Sequence, residues 1–169
     1  LDIVLGTLRR VAGQKAIGEG GKGGAMTIGG RSLLTGEPYI QYELLGGGGG
    51  AVEGDDGVSD VYGARGVPGL IREVPLEIVE TEFACRVLRF ELIPDSGGPG
   101  RFRGGPGIRR EYFILDKEAR MGLRSIGFVY PSRGDMGGMP GRPAAAILNP
   151  DSAGRRDFPC RIADVRLKS

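Results

Sequence analysis

The sequence predicts a mainly β fold, an antiparallel sandwich-like or barrel-like domain that carries one short N-terminal helix. Glycine and proline are in strong excess, with 33 and 11 residues among 169, and this composition favours short strands and many turns over long helices. Branched and alternating apolar runs recur from Pro38 onward, as expected for strands. A helical apolar spacing of useful length occurs in one place, at the start of the chain.

The helix is predicted over the first thirteen residues. Apolar residues spaced three and four apart from Asp2 to Ala12 share one helical face, and Gly13 follows as a stop. Residues 14–37 are predicted to be a glycine-rich connector, and residues 38–169 the β domain. The chain is therefore interpreted as a single domain.

Two motif-like clusters have ordinary explanations. Gly18–Gly23 meets the Gly-x-Gly-x-x-Gly spacing, but it follows a predicted helix where a dinucleotide site needs a strand, so a flexible connector is favoured. Asp55, Asp56 and Asp60 lack the spacing and the final glutamate of a calcium-binding loop. We expect neither a nucleotide nor a metal to bind at these positions.

The predicted strands follow the β-branched and aromatic residues. The strand that begins near Tyr39 runs into Gly46–Gly50, where we expect close backbone approach. Leu88, Phe90 and Leu92 alternate with charged residues and predict a half-buried strand. The strand segments are Tyr39–Leu45, strands within Val74–Ile93, Ile108–Leu115, Arg120–Val129, Ala144–Leu148 and Arg161–Leu167.

Charge and residue usage exclude several function classes. The formal charge of +2 comes without a basic block, so nucleic acid is not an expected partner. No apolar stretch approaches the roughly twenty residues that span a bilayer, so we expect no membrane association and a cytoplasmic location. The chain has no histidine, which excludes histidine-dependent triads and histidine-ligated metals within it. Cys85 and Cys160 are too few for a disulfide framework, and Cys85 is interpreted as a small buried hydrophobe.

Pro94–Gly107, the long loop, is the most informative segment because it is longer than a strand connection requires. A tight hairpin closes with about two to five residues, whereas this loop holds six glycines and two arginines. Asp95 and Ser96 can hold local backbone amides, and Arg101 and Arg103 offer planar donor forks for a carboxylate, a phosphate or a carbonyl. We predict a shaped functional surface; the alternative is a surface loop with solvated arginines.

Three glutamates complete the set of candidate residues. Glu77 and Glu80 could act as a carboxylate pair, but in a strand positions three apart face opposite sides, so a structural role is favoured. Glu43 lies at a strand end and could anchor the Gly46–Gly50 loop by accepting backbone N–H bonds. No residue is assigned as catalytic. The candidate substrate-binding or interface residues are Glu43, Glu77, Glu80, Asp95, Ser96, Arg101 and Arg103.

An ordered series of motifs resembles the hydantoinase B/oxoprolinase family. Asp95–Gly107, with the sequence DSGGPGRFRGGPG, looks like the family signature, and Pro75–Glu80 resembles its Pro-x-Glu-x-x-Glu element. The remaining blocks occur in the family's order: Met26–Gly30, Tyr39–Glu43, Gly46–Ala51 and Gly137–Gly141. The blocks together cover about residues 1 to 145, and their ordered occurrence is more specific than any single one.

The resemblance implies an ATP-dependent enzyme that opens cyclic amides such as hydantoins or 5-oxoproline. Family members act with a hydantoinase A-type partner, which phosphorylates the amide oxygen and so makes the carbon a better electrophile. ATP and a divalent metal are expected elsewhere in the complex, so this segment is expected to bind no cofactor and no metal. Relatives in the superfamily carboxylate acetone or acetophenone, which leaves a carboxylase-type complex as an alternative.

The resemblance covers only the C-terminal part of family members. The chain also opens on Leu1, so we expect a fragment, and we expect it to be inactive by itself because it lacks the N-terminal portion of family members. The family's metal-binding residues are expected in the N-terminal portion, and this chain offers no histidine in their place. A hypothesis from another class is a structural or subunit-interface domain, in which Arg101 and Arg103 contact acidic residues or carbonyls of a partner.

Overall fold

Antiparallel sheets account for most of the regular structure, which confirms the predicted fold class. The computed structural model describes residues 2–13, 17–61, 74–159 and 161–167. Within these ranges the strands form one four-stranded sheet and two hairpins, and no sheet closes into a barrel. The elements are α1 (Asp2–Ala12), β1 (Gly24–Arg31), β2 (Pro38–Leu45), α2 (Leu76–Glu82), β3 (Cys85–Leu92), β4 (Ile108–Ile114), β5 (Arg120–Ser125), β6 (Ala146–Leu148), β7 (Arg156–Phe158) and β8 (Ile162–Arg166).

The four-stranded sheet has the order β2-β1-β5-β8, and each neighbouring pair is antiparallel. Met26 and Ile28 on β1 pair with Leu123 and Met121 on β5 and supply the centre of the core. Ile28 is 1% exposed, and burial of an aliphatic side chain of this size stabilises the fold by about 1.5–3 kcal/mol. The other buried members of this core are Ala119, Phe158, Ile162 and Leu167.

The connector prediction for residues 14–37 is wrong over Gly24–Arg31, because this stretch is β1, a central strand of the sheet. Its sequence, GAMTIGGR, offers only two large apolar side chains, too few for a clear alternating pattern. The glycines fit close neighbours: a Cβ at Gly24 would lie 2.8 Å from the carbonyl oxygen of Arg124. A composition typical of a loop here permits close packing between strands.

A second helix, α2, stands where a strand was predicted. The carbonyl of Pro75 accepts the amides of Ile78 and Val79 at 3.0 and 3.1 Å, which begins the helix. The branched residues Ile78, Val79 and Thr81 favour a strand locally, but proline is well tolerated where a helix starts. Val79 is 1% exposed, and its burial stabilises the helical arrangement. Tertiary packing therefore outweighs local propensity at this point.

The hairpin β3–β4 is joined by the long loop, as predicted. Its register shifts between Val87 and Arg89, which marks a bulge or irregularity in the ladder. The face predicted to be half-buried is more open than expected, since Leu88, Phe90 and Leu92 are 51%, 39% and 49% exposed. Apolar side chains on one face of β3 therefore remain partly exposed to solvent.

The later strands are shorter than the sequence predicts. β5 ends at Ser125, whereas the prediction extended it to Val129. β7 was not predicted, and it pairs with β6 in a separate short hairpin. The predicted last strand is present as β8. None of the helices described is long and apolar enough to cross a membrane.

Candidate functional site

Glycine-rich segments from distant parts of the sequence contact one another through their backbones. The amide of Gly21 donates to the carbonyl of Gly48 at 2.5 Å, and the amide of Gly105 donates to the carbonyl of Gly49 at 2.9 Å. This assembly, here named the glycine lattice, consists of four segments that are distant in sequence and adjacent in the fold. They are residues 17–23, residues 46–57, the long loop and residues 131–141.

The lattice requires glycine where its segments cross. A Cβ at Gly48 would lie 1.8 Å from the carbonyl oxygen of Gly105, and one at Gly50 would lie 1.9 Å from that of Gly18. Both obstacles are backbone atoms, which cannot rotate away as a side chain can. The close backbone approach expected at Gly46–Gly50 is therefore confirmed.

The segment that contains Gly18–Gly23 has no helix or strand and leads from α1 to β1, as expected for a connector, but it is also hydrogen-bonded to other segments. The amide of Gly18 donates to the carbonyl of Ala51 at 2.7 Å, and Ser132 Oγ donates to the carbonyl of Gly20 at 2.5 Å. Lys22 pairs with Glu19 at 2.5 Å. These glycines allow close packing between backbones, which the spacing alone could not distinguish from a linker.

Ser96 closes the base of the long loop. Its Oγ donates to the carbonyl of Ile93 at 2.7 Å and accepts the amide of Gly107 at 2.8 Å. The amide of Ile93 donates to the carbonyl of Gly107 at 2.8 Å, so both ends of the loop are joined twice. The carbonyl of Ser96 also accepts the amide of Arg142 at 2.9 Å. The long loop is therefore held in a defined shape by bonds at its base and to a neighbouring segment.

Asp95 and Arg103 form an ion pair within the long loop. Arg103 Nη2 lies 3.1 Å from Asp95 Oδ1, and both side chains are more than half exposed, so this ion pair contributes little stability. The amide of Arg103 donates to Asp56 Oδ1 at 2.7 Å, which links the loop to the segment 46–57. Asp56 belongs to the aspartate cluster that was not expected to bind calcium, and in the structure its carboxylate accepts a backbone amide.

The glycine lattice borders a cavity of about 380 Å³. Gly50, Gly98 and Gly134 line its walls, and Arg101 and Arg133 are also among the lining residues. The Arg101 guanidinium lies 5.4 Å from the centre of the Phe102 ring, within the range of a cation–π contact. Of the two arginines predicted on the long loop, Arg101 therefore lines the cavity, whereas Arg103 is engaged with Asp95.

Glu43 lies in a second feature, a buried polar cluster formed by Gln41, Glu43, Cys85, Arg110 and Tyr112. Arg110 Nη1 lies 2.6 Å from Glu43 Oε2, and both side chains are only 4% exposed. Tyr112 donates its hydroxyl to the same oxygen, and Gln41 Nε2 donates to the other. The acceptor role predicted for Glu43 is present, but its partners here are side chains instead of the loop amides expected from the sequence.

The cluster connects β2 to the hairpin β3–β4. Cys85 Sγ donates to Gln41 Oε1 at 3.8 Å, and burial together with the nearby Glu43 and Glu80 carboxylates raises the pKa of the thiol to about 11. Burial also raises the pKa of Tyr112, and its bond to Glu43 adds to the shift. Cys85 therefore stays protonated near neutral pH, which agrees with its interpretation as an inert buried residue. Cys160 lies outside the described residues.

Glu77 and Glu80 lie on α2, where positions three apart face the same side of the helix. Glu80 Oε1 accepts the amide of Val87 at 2.8 Å and so ties the helix to β3. Glu77 is exposed. Neither residue lines the cavity. The structure therefore places four of the predicted candidates on one loop, and the three glutamates elsewhere.

Two arginines that the sequence reasoning missed are central to these features. Arg110 carries a pattern that could have revealed it, because it alternates with Ile108, Tyr112 and Ile114 and so stands on an apolar face of its strand. A charge on such a face usually has a buried partner. Arg133 carries no such pattern, since only the folded loops bring it to the cavity. No group of three or more potential metal-ligating side chains occurs in the part of the chain that the structure describes.

Comparisons with known proteins identify a family and partial relatives of this chain. A family model described as Hydantoinase B/oxoprolinase matches residues 1–166. The 5-oxoprolinase PfmaA of Pestalotiopsis fici is 34% identical over 116 residues, which cover 66% of this chain and 8% of that protein. An uncharacterized protein of Schizosaccharomyces pombe is 34% identical over 87 residues, which cover 50% of this chain and 6% of that protein. The chain therefore spans 6–8% of the length of these curated relatives.

A solved structure of nucleotide-free acetone carboxylase shares the fold. The two align with a TM-score of 0.58 and 23% sequence identity, over 73% of this chain and 16% of the carboxylase chain. At this level of identity the likeness concerns the fold alone. The carboxylase chain is much longer than this one.

Proposed function

Because the chain belongs to the hydantoinase B/oxoprolinase family, we propose that it is part of an ATP-dependent enzyme that hydrolyses a cyclic amide. In this proposal a hydantoinase A-type partner binds ATP and phosphorylates the amide oxygen. The 5-oxoprolinase among the relatives favours a five-membered cyclic amide as the substrate. The divalent metal belongs to another part of the complex, and the enzyme acts in the cytoplasm.

The observation that carries the proposal is the ordered state of the long loop. Its residues carry the closest likeness to the family signature, and Ser96 and the lattice bonds hold them around a cavity large enough for a small molecule. A cavity shaped by backbone atoms positions a substrate without needing a histidine or a reactive thiol from this chain. The proposed contribution is therefore binding and orientation, and the isolated chain is expected to be inactive.

The experiment separates a binding role from an assembly role in the full-length protein with its partner. Arg101→Gln removes one of the two arginine charges in the cavity lining, and Arg103→Gln removes the charge paired with Asp95. We expect Arg101→Gln to retain assembly on size-exclusion chromatography and to lose ATP-dependent ring opening of 5-oxoproline or hydantoin. Full turnover by Arg101→Gln, or ring opening by this chain alone, would contradict the proposal.

A second candidate function is a subunit-interface domain, and the exposed face of β3 favours it. Leu88 and Leu92 are about half exposed, and Phe90 between them is 39% exposed with the Arg110 guanidinium 4.4 Å from its ring centre. Exposed apolar residues grouped in this way commonly mark protein contacts. In the same assay, Leu92→Lys separates the two ideas. Loss of assembly with this variant would assign β3 to an interface, whereas unchanged assembly would remove the basis of this candidate.

The acetone carboxylase likeness motivates a third arm of the assay. A carboxylase-type complex would consume a ketone, bicarbonate and ATP where the hydrolase consumes a cyclic amide and ATP. The full-length complex is therefore supplied with acetone and bicarbonate in parallel with the cyclic amides. Turnover of the ketone alone would replace the hydrolase proposal.

A further inference from the structure

We propose that the cavity of the glycine lattice binds a small ligand that carries a single carboxylate, held between Arg101 and Arg133. The cavity volume of about 380 Å³ falls within the range typical of small-molecule sites. Arginine presents a planar fork of donors that matches the two oxygens of a carboxylate. This inference rests on the proposed function, since it names the charged group of the ligand that the same cavity takes. Binding is tested without turnover, so its failure is distinguishable from a failure of the ring-opening proposal.

The two arginines come from different walls whose relative position is fixed. Arg101 lies on the long loop and Arg133 on the segment 131–141. The amide of Met139 donates to the carbonyl of Pro99 at 2.8 Å, so backbone bonds join the two walls. A Cβ at Gly98 would lie 2.3 Å from the carbonyl oxygen of Met139, which shows how closely the walls approach. Both guanidinium groups are therefore carried by preorganised backbone.

Two of the three acidic side chains in the cavity wall are already engaged. Asp135 Oδ2 lies 3.6 Å from Arg9 Nε, so its charge is balanced from α1. Glu19 pairs with Lys22 at 2.5 Å and accepts the backbone amide of Arg133 at 2.6 Å. Among the residues that the structure describes, neither acid forms an ion pair with the guanidinium of Arg101 or Arg133. These two acids therefore do not occupy the proposed anion site.

The remaining charges leave room for one negative charge. Within the described ranges, the guanidinium groups of Arg101 and Arg133 make no ion pair. Of the three acidic residues in the cavity wall, Glu53 is the one that makes no ion pair within these ranges. Two positive charges and one negative charge give a net charge of plus one. A carboxylate balances this charge, whereas a phosphate dianion would exceed it beside Glu53. The charge balance therefore favours a carboxylate over a phosphate.

The test is a titration of the full chain, followed by nuclear magnetic resonance of its backbone amides. The probes are propionate, its uncharged analogue propionamide, and inorganic phosphate. We expect propionate to shift the amide signals of Gly98, Gly100 and Gly134 saturably. Propionamide should leave them unchanged, and phosphate should bind more weakly. Each comparison uses the wild-type chain, so it does not depend on a variant that folds.

Matched variants identify the residues that hold the carboxylate. Loss of one charged hydrogen bond in Arg101→Gln or Arg133→Gln should weaken propionate binding about tenfold or more. The control is Arg109→Gln, since Arg109 is an exposed arginine of β4 that pairs with Glu91 and Glu111. Glu53→Gln should strengthen propionate binding and improve phosphate binding, because it removes the competing negative charge.

The signals of the core confirm that each variant is folded before its affinity is compared. The proposal is overturned if propionate gives no saturable shift, or if propionamide shifts the same amides equally. It is also overturned if Arg101→Gln and Arg133→Gln both bind propionate as tightly as the Arg109→Gln control. Tighter binding of phosphate than of propionate to the wild-type chain would replace the carboxylate by a phosphate group.

Discussion

In the glycine lattice, backbone meets backbone with no side chain between, whereas in the buried polar cluster charged side chains from two strands fill the space between them. At Gly48 the lattice has no room for a single carbon atom beside Gly105. In the cluster, Arg110 and Glu43 bridge β4 and β2 with side chains that are 4% exposed. The two regions therefore depend on opposite features of the sequence.

The difference determines which changes each region should tolerate. A lattice crossing accepts no larger residue, because the opposing atom belongs to a backbone that is itself hydrogen-bonded. A buried ion pair suffers most when one partner is removed, since the other charge is then left without compensation. Paired changes should therefore rescue the cluster and should not rescue the lattice.

The largest effect is expected from Arg110→Met in the buried polar cluster. This change leaves the Glu43 carboxylate buried without its cation, at a cost of about 3–5 kcal/mol in the free energy of unfolding. Urea denaturation followed by circular dichroism measures this cost. The double variant Glu43→Gln/Arg110→Met should lose clearly less stability than Arg110→Met alone. Additive losses would show that the two charges do not act as a pair.

The next largest effect is expected from Gly48→Ala in the lattice. Its Cβ would lie 1.8 Å from the carbonyl oxygen of Gly105, so one backbone segment must move, at about 3 kcal/mol. The matched control is Gly6→Ala on α1, where a Cβ meets nothing within 4 Å and alanine favours the helix. Equal melting temperatures for both variants would mean that the lattice is not closely packed in solution.

The contrast also explains how much the sequence could predict. The long loop, its flanking strands and the close approach at Gly46–Gly50 were predicted, because glycine density and alternating apolar residues have direct physical meanings. The strand β1 was missed because its glycine density was interpreted as a sign of a connector. Its glycines serve close packing against β5 and the turn at Asp116, and a single sequence does not distinguish this use from a linker.

The candidate site was predictable only where residues are close in the chain. Asp95, Ser96 and Arg103 act on one loop, and their local chemistry was visible in the sequence. The pairing of Glu43 with Arg110 joins residues 67 positions apart, so it depends on how the hairpin packs against β2. The cavity position of Arg133 depends likewise on contacts between distant segments.

A smaller effect is expected from Ser96→Ala, which combines features of both regions because a side chain here joins backbone groups. The variant loses the bonds to Ile93 and Gly107, at about 1–2 kcal/mol. The control is Ser152→Ala, since Ser152 makes two similar but longer contacts in an exposed turn. Hydrogen exchange should become faster at the Gly107 amide in Ser96→Ala only. Unchanged exchange at Gly107 would show that Ser96 does not hold the base of the loop.

The smallest effect concerns Asp116, where a charge binds backbone amides. Its carboxylate accepts the amides of Arg31 and Glu118, and these bonds, the one from Arg31 first, lower the pKa of the carboxyl group. A lowered folded pKa means that the stabilisation is fully present above the unfolded value of about 3.9 and is lost as the pH falls through the folded value. Asp116→Asn should therefore be less stable than the wild type near neutral pH, and the difference should shrink under acid. Urea denaturation from neutral to acidic pH measures this difference in the free energy of unfolding. A difference that stays constant with pH would mean that the charge of Asp116 does not help to hold β1 against the turn before β5.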